Sequence, residues 1–364
     1  MAGSTQTPLT NGNTSWVEGD LFTWHGAELI FIPIMMFIGI VGNLLVFYIY
    51  HFRWHSNTVT LFKRMLAVLD LASLTVAFPC LLYVTASPHS QSFSATCILT
   101  SFVALGAAVA SGCVLVIIAV DRFLKLCLLR KTGIGYMLSK KLFVASIIFA
   151  CLTNIPCVWI FGRNTVYYQA YNIKVSYCFI SSGSIQTPVF LVYAALLAVI
   201  FLSVSFILTI LYYKIVKQLR ELSKKHDELR RRPSLAGGTE IMQREKQSEV
   251  MRNSAIVFIA VTVVFFASYT PYFVTLVLSM ADASIEGSMS PSVRAIYDLA
   301  KCCPIINNMA NPFIYSFTSD RFREEIKKML TFKTCEKGFF RRRGWSLSGR
   351  SQELSQVSDS KEET

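Results

Sequence analysis

Residues 97–123 read CILTSFVALGAAVASGCVLVIIAVDRF, and this stretch decides the fold. From Cys97 to Val120 there are 24 residues without a charge. As a helix rising about 1.5 Å per residue they reach ~36 Å, enough to cross a hydrocarbon core of roughly 30 Å with some tilt. That length sets Cys97 at one surface of a bilayer and the acid-base pair Asp121-Arg122 at the other. The two ends differ in chemistry, one suited to fixing and the other to switching.

Similar runs flank it on both sides. Leu29–Tyr50 is uncharged, and Met65–Ala86 is interrupted only by Asp70. Leu142–Phe161, Pro188–Tyr213 and Asn253–Met280 are also uncharged. The least apolar run, residues 295–317, carries Asp298 and Lys301 near its start. Counted with residues 97–120, these make seven spans, so the expected fold is an all-α integral membrane bundle. The composition agrees, with 53% hydrophobic and 16% charged residues. The domain reading is a tail at 1–28, the seven-helix domain at 29–317 with a long loop at 214–252, a short amphipathic helix at 318–335, and a disordered tail at 336–364. In that helix Phe322, Ile326, Met329 and Leu330 share one face beside Lys327, Lys328 and Lys333, which suits the plane of the interface.

The formal charge of +13 would suggest nucleic acid in a soluble protein. Its distribution says otherwise. Of 35 Lys and Arg, 31 lie at 51–64, 122–141, 214–252 and 318–364. The positive-inside rule makes those segments cytosolic and the N-terminus extracellular, as in a multi-pass plasma-membrane protein. Part of the basic charge serves anionic lipid in the bilayer. No basic segment precedes the first long run, so no cleaved signal peptide is expected. Asn13-Thr14-Ser15 is a glycosylation sequon on the outer side, Arg230-Arg231-Arg232-Pro233-Ser234 resembles a basophilic kinase site at Ser234, and Cys335 is placed for palmitoylation. The ten cysteines form no CxxC pair, and no cluster of His and Cys suggests zinc.

Polar residues inside a bilayer are costly and mark candidate sites. Asp70 is a lone carboxylate in mid-span, with Asn43, Ser111, Asn307, Asn308 and Asn311 as possible neighbours from other spans. Two readings stand side by side: a hydrogen-bonded knot joining helices, or oxygen ligands for a small hard cation such as Na⁺. Pro271 and Pro312 lie deep in spans 6 and 7 and invite kinks.

These residues, in order, resemble the rhodopsin-like (class A) G-protein-coupled receptors. The match runs through Gly42-Asn43, Leu66-Ala67-Val68-Leu69-Asp70, Cys97, Ser111, Asp121-Arg122-Phe123, Tyr212, Phe265 with Pro271, Asn311-Pro312-Phe313-Ile314-Tyr315, and Phe322. Motifs in six of the seven spans, in order and at the right depth over residues 29–335, make a specific signature. The resemblance implies a Cys97–Cys178 disulfide, in keeping with an oxidising exterior. It implies that Arg122 is held by Asp121 at rest and meets Tyr212, Tyr315 and a G-protein tail when active. It implies a sodium pocket of Asp70, Ser111, Asn307 and Asn311 that favours the resting state, and no other cofactor. A heterotrimeric G protein, arrestin and receptor kinases are the implied partners.

Departures bear on switching. Phe123 stands where Tyr is usual. Ser268-Tyr269-Thr270-Pro271 replaces Cys-Trp-x-Pro, so the toggle aromatic is Tyr269. Span 4 has Ser146 and Ile147 where Trp is usual, and span 5 has Val204 near the usual proline. Met251 occupies the position of the span-6 acid that often locks the arginine, with Glu249 nearby.

For the ligand, Ala104 replaces the aspartate of amine receptors and Ile305 the retinal-linking lysine of opsins. Lys301 has Asp298 three residues away, which reads as a structural ion pair. No hydrolase triad, H-E-x-x-H or phosphate loop appears, so catalysis is not expected. The outer halves and loops offer Tyr83, Tyr167, Tyr168, Tyr171, Tyr177, Tyr193, Tyr272 and Tyr297, with acids at Glu18, Asp20, Asp282 and Glu286. Aromatics with mild negative charge suit a basic or amidated peptide, although tyrosines also belt membrane interfaces. The expected ligand pocket is Tyr83, Ala104, Tyr193, Tyr269, Tyr272, Tyr297 and Lys301. A lipid or other small molecule is the competing ligand. A non-signalling scavenger receptor and a transporter are the competing functions, the latter opposed by the absence of paired half-helices.

Overall fold

The computed structural model describes residues 14–130, 133–168, 173–181, 183–184, 187–231, 238–282 and 285–330. The expected modification sites Asn13, Ser234 and Cys335 lie outside them, as does Tyr171. The side chains of Tyr167, Tyr168, Glu249 and Met251 are likewise not described.

Span 1 is a helix, Thr14–Tyr48, continued by a π turn at Ile49–Arg53. It begins well before the apolar run, so part of the expected N-terminal tail is helical. Span 2 is Thr58–Ala72, a π turn at Ser73–Ala77, and Phe78–Ala86. Its start is capped reciprocally by Asn57 and Thr60. The π turn directly precedes Phe78-Pro79, where proline removes a backbone donor. Span 3 is Phe93–Leu126 and span 4 is Tyr136–Thr153 with a short turn, Cys157–Ile160. Span 5 is Pro188–Arg231 and span 6 is Gly238–Ala281, both extending far beyond their apolar runs into the basic loop.

Span 7 consists of two helices, Pro291–Cys302 and Pro304–Thr318. Pro304 cannot donate to the preceding turn, and the helix breaks there. The helices remain continuous through Pro271 and Pro312, the prolines expected to invite kinks. Among the described residues six helices are individually long and apolar enough to cross a membrane, and the break at Pro304 leaves each half of the seventh too short to do so alone.

Between spans 4 and 5 lies a feature the apolar runs do not reveal. β1 (Phe161–Tyr168) and β2 (Ile173–Ile180) form an antiparallel hairpin, with Arg163 opposite Cys178. Its sequence signal is modest: Ile173–Ile180 reads IKVSYCFI, rich in β-branched and aromatic residues. The disulfide Cys97–Cys178 fastens β2 to the outer end of span 3, with Cα atoms 5.4 Å apart.

Many large apolar side chains point outward, including Phe37, Val192 and Phe206, each about 70% exposed. In water that surface would aggregate; in lipid it is the solvated face. With hydrocarbon outside, helices associate through close packing and polar links rather than hydrophobic burial. Spans 1, 2 and 7 show both. Gly39 faces the Leu74 side chain, and Gly42 faces the Pro312 ring. Asn43 donates from Nδ2 to the Gly39 carbonyl at 3.0 Å and the Asn308 carbonyl at 2.6 Å.

The described residues fall into two compact units, dividing after Tyr315. The second contains a helix, Asp320–Leu330. Asp320 opens it and pairs with Arg323, while Lys327 and Lys328 close it, as the helix dipole favours.

A Cβ added at Gly42 would lie 2.6 Å from Pro312 Cγ and 2.9 Å from its Cβ, on a rigid ring that cannot swing aside. Gly42→Ala should therefore cost about 1–3 kcal/mol by overpacking. The expected outcome is a thermal midpoint lowered by several degrees in detergent, with Gly183→Ala, where a Cβ meets open space, as the neutral control.

Candidate functional site

The structure gathers the intramembrane polar residues at three depths. At the end of span 3 away from the disulfide, Asp121 is fully buried. Its Oδ2 lies 2.5 Å from Arg122 Nη2 and 3.0 Å from Lys125 Nζ. Its Oδ1 accepts the backbone N–H of Ile134 at 3.1 Å. Arg122 is itself buried and donates from Nη1 to Ser254 Oγ on span 6 at 3.2 Å. A neutral hydroxyl on span 6 thus meets the arginine whose usual acidic partner the sequence lacks. Lys125 also reaches back to Thr58 Oγ1 on span 2 at 2.7 Å.

The two switch tyrosines make other contacts. The Tyr212 hydroxyl donates to the Phe258 carbonyl at 3.4 Å and lies 3.2 Å from Thr262 Oγ1. Tyr315 is buried edge-on to Tyr50, with ring centroids 6.0 Å apart. The Lys63 ammonium sits 4.5 Å from the Tyr50 ring and 4.6 Å from the Tyr315 ring, and donates to the Tyr50 hydroxyl at 2.8 Å. Sequence reasoning left Lys63 in a cytosolic connection; the structure buries it inside span 2. Phe123 sits partly exposed, with Lys214 5.6 Å from its ring.

At mid-depth Asp70 is buried and accepts from Asn311 Nδ2 at 2.5 Å. Ser111 and Asn307 are buried as well, and Asn307 Nδ2 lies 3.5 Å from Asn308 Oδ1. No cationic side chain pairs with Asp70 among the described residues. A buried carboxylate with one neutral donor requires a cation or a proton for balance.

Beneath the hairpin are two chambers. The inner one is narrow, apolar and bounded by Val109, Gly112, Val204, Phe201, Phe265 and Tyr269. The outer one, partly open, is roofed by Phe161, Cys178 and Phe179 of the hairpin. Leu105, Tyr269 and Tyr272 line both. Tyr269 stacks obliquely on Phe265 with centroids 4.7 Å apart.

Of the residues expected to form a ligand pocket, Ala104, Tyr269, Tyr272 and Lys301 line the outer chamber. Tyr83, Tyr193 and Tyr297 do not. Tyr83 is half exposed and lies 3.0 Å from Ser90 Oγ at the rim. The Tyr193 hydroxyl is buried, donating to Asn154 Oδ1 at 2.7 Å and touching Cys157 Sγ at 3.2 Å. The Tyr297 hydroxyl is tied to the Thr275 carbonyl at 2.9 Å and Ser279 Oγ at 2.7 Å. A helical tyrosine is set by rotation about its axis, which residue type alone does not reveal.

Glu286, expected as a free outer acid, is also corrected. It is buried, with Oε2 2.7 Å from Arg294 Nη1 and Oε1 2.9 Å from Lys301 Nζ. Arg294 Nε reaches Asp298 Oδ2 at 2.7 Å, and Lys301 reaches Asp298 Oδ1 at 3.5 Å. The i,i+3 pair expected from sequence is thus half of a four-charge lattice. Lys301 Nζ lies 4.4–4.6 Å from the rings of Phe179, Tyr177 and Tyr297. Arg294 stacks 4.3 Å over Tyr177. The lattice therefore joins span 7 to the third outer loop and to the hairpin.

Seven membrane helices, a hairpin disulfide-bonded to span 3 over an open chamber, and a buried acid-arginine clamp at the opposite end define a membrane receptor rather than an enzyme. Residues 42–315 match the family model of the 7 transmembrane receptor (rhodopsin family), and the chain belongs to that family. It is a multi-pass membrane protein with a G-protein-coupled signalling role. The crystal structure of squid rhodopsin superposes with a TM-score of 0.68 at 18% identity, over 99% of this chain and 98% of that one. At that identity the likeness speaks for the fold alone. No curated protein sequence matches.

Arg294→Ala would leave Glu286 and Asp298 short of their shared cation in a buried setting, a class of change that costs about 3–5 kcal/mol. The expected result is a strongly reduced yield of monodisperse receptor. Arg294→Lys should recover part of it, since one charge returns without the two-armed geometry.

Proposed function

We propose that this receptor stands in the plasma membrane with its N-terminus outside. In this reading a ligand enters the outer chamber and drives nucleotide exchange on a heterotrimeric G protein at the cytosolic cleft beside Arg122. The observation that carries the reading is the closed state of that clamp. Arg122 is bound to Asp121 on its own helix and to Ser254 on span 6, so the cleft is shut. Outward movement of span 6 breaks the Ser254 bond and frees Arg122 for Tyr212, Tyr315 and the G-protein tail. Arrestin and receptor kinases act on the same open state.

A peptide is the favoured ligand. The outer chamber is partly open and lined by rings, which suits a terminal side chain, while the hairpin offers backbone for the rest. A small lipid-like molecule is the second reading, supported by the inner chamber, whose walls are almost wholly apolar.

The second cytosolic loop takes part in the clamp. Gly133 has φ +57°, where a side chain is strained, and a Cβ there would overlap Asp121 Oδ1 and lie 2.6 Å from Lys125 Cε. Gly133→Ala should displace Asp121 and loosen Arg122. With purified receptor in lipid, ligand-independent exchange should rise roughly tenfold, equivalent to ~1.4 kcal/mol. Adding Arg122→Ala to it should abolish the exchange. Basal exchange unchanged by Gly133→Ala, or surviving Arg122→Ala, would remove the clamp from the mechanism.

We further propose that Na⁺ occupies the Asp70 region with Ser111, Asn307 and Asn311 and favours the closed state. A cation that binds one state better shifts the equilibrium toward it. Replacing choline by Na⁺ at constant ionic strength should lower the basal exchange of Gly133→Ala. Asp70→Asn should erase that dependence, and sodium sensitivity that persists in the variant would place the ion elsewhere.

A further inference from the structure

The charged groups around the outer chamber do not balance. Arg294 and Lys301 are matched by Glu286 and Asp298 at 2.7–3.5 Å, two cations against two acids. The carboxylate that lines the chamber itself is Glu28 of span 1. Its side chain is 12% exposed. Its partners are His25 Nδ1 at 3.2 Å from Oε2, charged only if protonated, and the Cys302 thiol at 3.8 Å from Oε1. No Lys or Arg pairs with it among the described residues. The rest of the lining is neutral and rich in rings: Phe78, Phe161, Phe179, Tyr269 and Tyr272.

We propose that Glu28 is the counter-charge of a cationic ligand, an amine or guanidinium whose apolar body fills the outer chamber toward Tyr269 and Tyr272. Three features point the same way. The unmatched charge on the wall is negative. The chamber's one lysine is committed to two carboxylates and three ring faces. Ring faces attract cations when water is excluded. A carboxylate ligand would instead meet Glu28 directly and would have to draw Lys301 out of its lattice. This site differs from the span-3 position where amine receptors place their acid, which here is Ala104. The inference rests on the reading that the ligand uses the outer chamber.

The test uses full-length receptor in nanodiscs and three probes of one shape: phenethylamine, 2-phenylethanol and phenylacetate. Binding is read by saturation-transfer NMR, with thermal unfolding of each variant as the check on folding. The expected order is amine over alcohol over acid. Glu28→Gln should cut the amine preference over the alcohol at least tenfold while leaving alcohol binding unchanged. Glu28→Lys should invert the order, so that phenylacetate binds best; this gain does not depend on how the Gln variant folds. Ala104→Trp, which fills the chamber, should remove binding of all three probes.

Equal binding of amine and alcohol, or an amine preference that survives Glu28→Gln, overturns the proposal. Amine binding that persists in Ala104→Trp overturns it as well, by placing the site elsewhere. The exchange assay with Arg122→Ala is independent of these probes, so failure of the clamp mechanism and failure of the Glu28 assignment are distinguishable.

Discussion

The burial of one carboxylate, Asp121, holds the cytosolic half of the molecule together. An ionised acid away from water has to be surrounded by donors. Arg122, Lys125 and the Ile134 N–H meet that need from span 3 and the second loop. Each donor brings another element with it. Lys125 ties in span 2 through Thr58, and Arg122 ties in span 6 through Ser254. Gly133 is small because the loop lies directly against the carboxylate. Strong local demand from one group therefore arranges four segments, and the links to spans 2 and 6 each end on a neutral hydroxyl, at 2.7 and 3.2 Å. The longer of the two falls on the helix that the proposed mechanism moves.

Elsewhere buried charge is handled in different ways. The outer lattice matches two cations with two acids and stacks both cations on rings. Lys63 is met by a hydroxyl and two ring faces rather than by an acid. Such a cage is weaker than an ion pair, and it includes Tyr315, one of the residues expected to move. Among the described buried carboxylates, Asp70 and Glu28 have no Lys or Arg partner, and they are the two positions at which an external cation is proposed above.

The spans were legible because lipid imposes a length and forbids charge, and both are written directly in the runs. Span 7 was legible as the least apolar of the seven runs and through its Asn311-Pro312 motif, but its division into two helices at Pro304 was not. Contacts distant in sequence were not legible. The Asp298–Lys301 pair showed itself by helical spacing, whereas its partner Glu286 sits on a loop with no periodicity. Ser254 carries no special signal as a serine; only the missing acid nearby hinted that Arg122 would need another partner. Tyrosines assigned to a pocket by type alone went astray, because rotation about a helix axis decides between a chamber wall, as for Tyr272, and an internal hydrogen bond, as for Tyr193.

The two ends of the proposed mechanism are joined by span 6. Tyr269 lines both chambers and packs on Phe265, whose ring a Cβ at Gly112 of span 3 would meet at 3.6 Å. Phe265 thus bears on span 3 where span 3 has no side chain. From there to Ser254 is eleven residues of one helix, about 16 Å. In the proposed mechanism a body placed against Tyr269 bears on Phe265 and, through it, on Gly112 of span 3. Close packing makes such a contact two-valued rather than elastic. Because Tyr269 borders both chambers, a ligand seated in the outer one would reach that contact through the tyrosine ring.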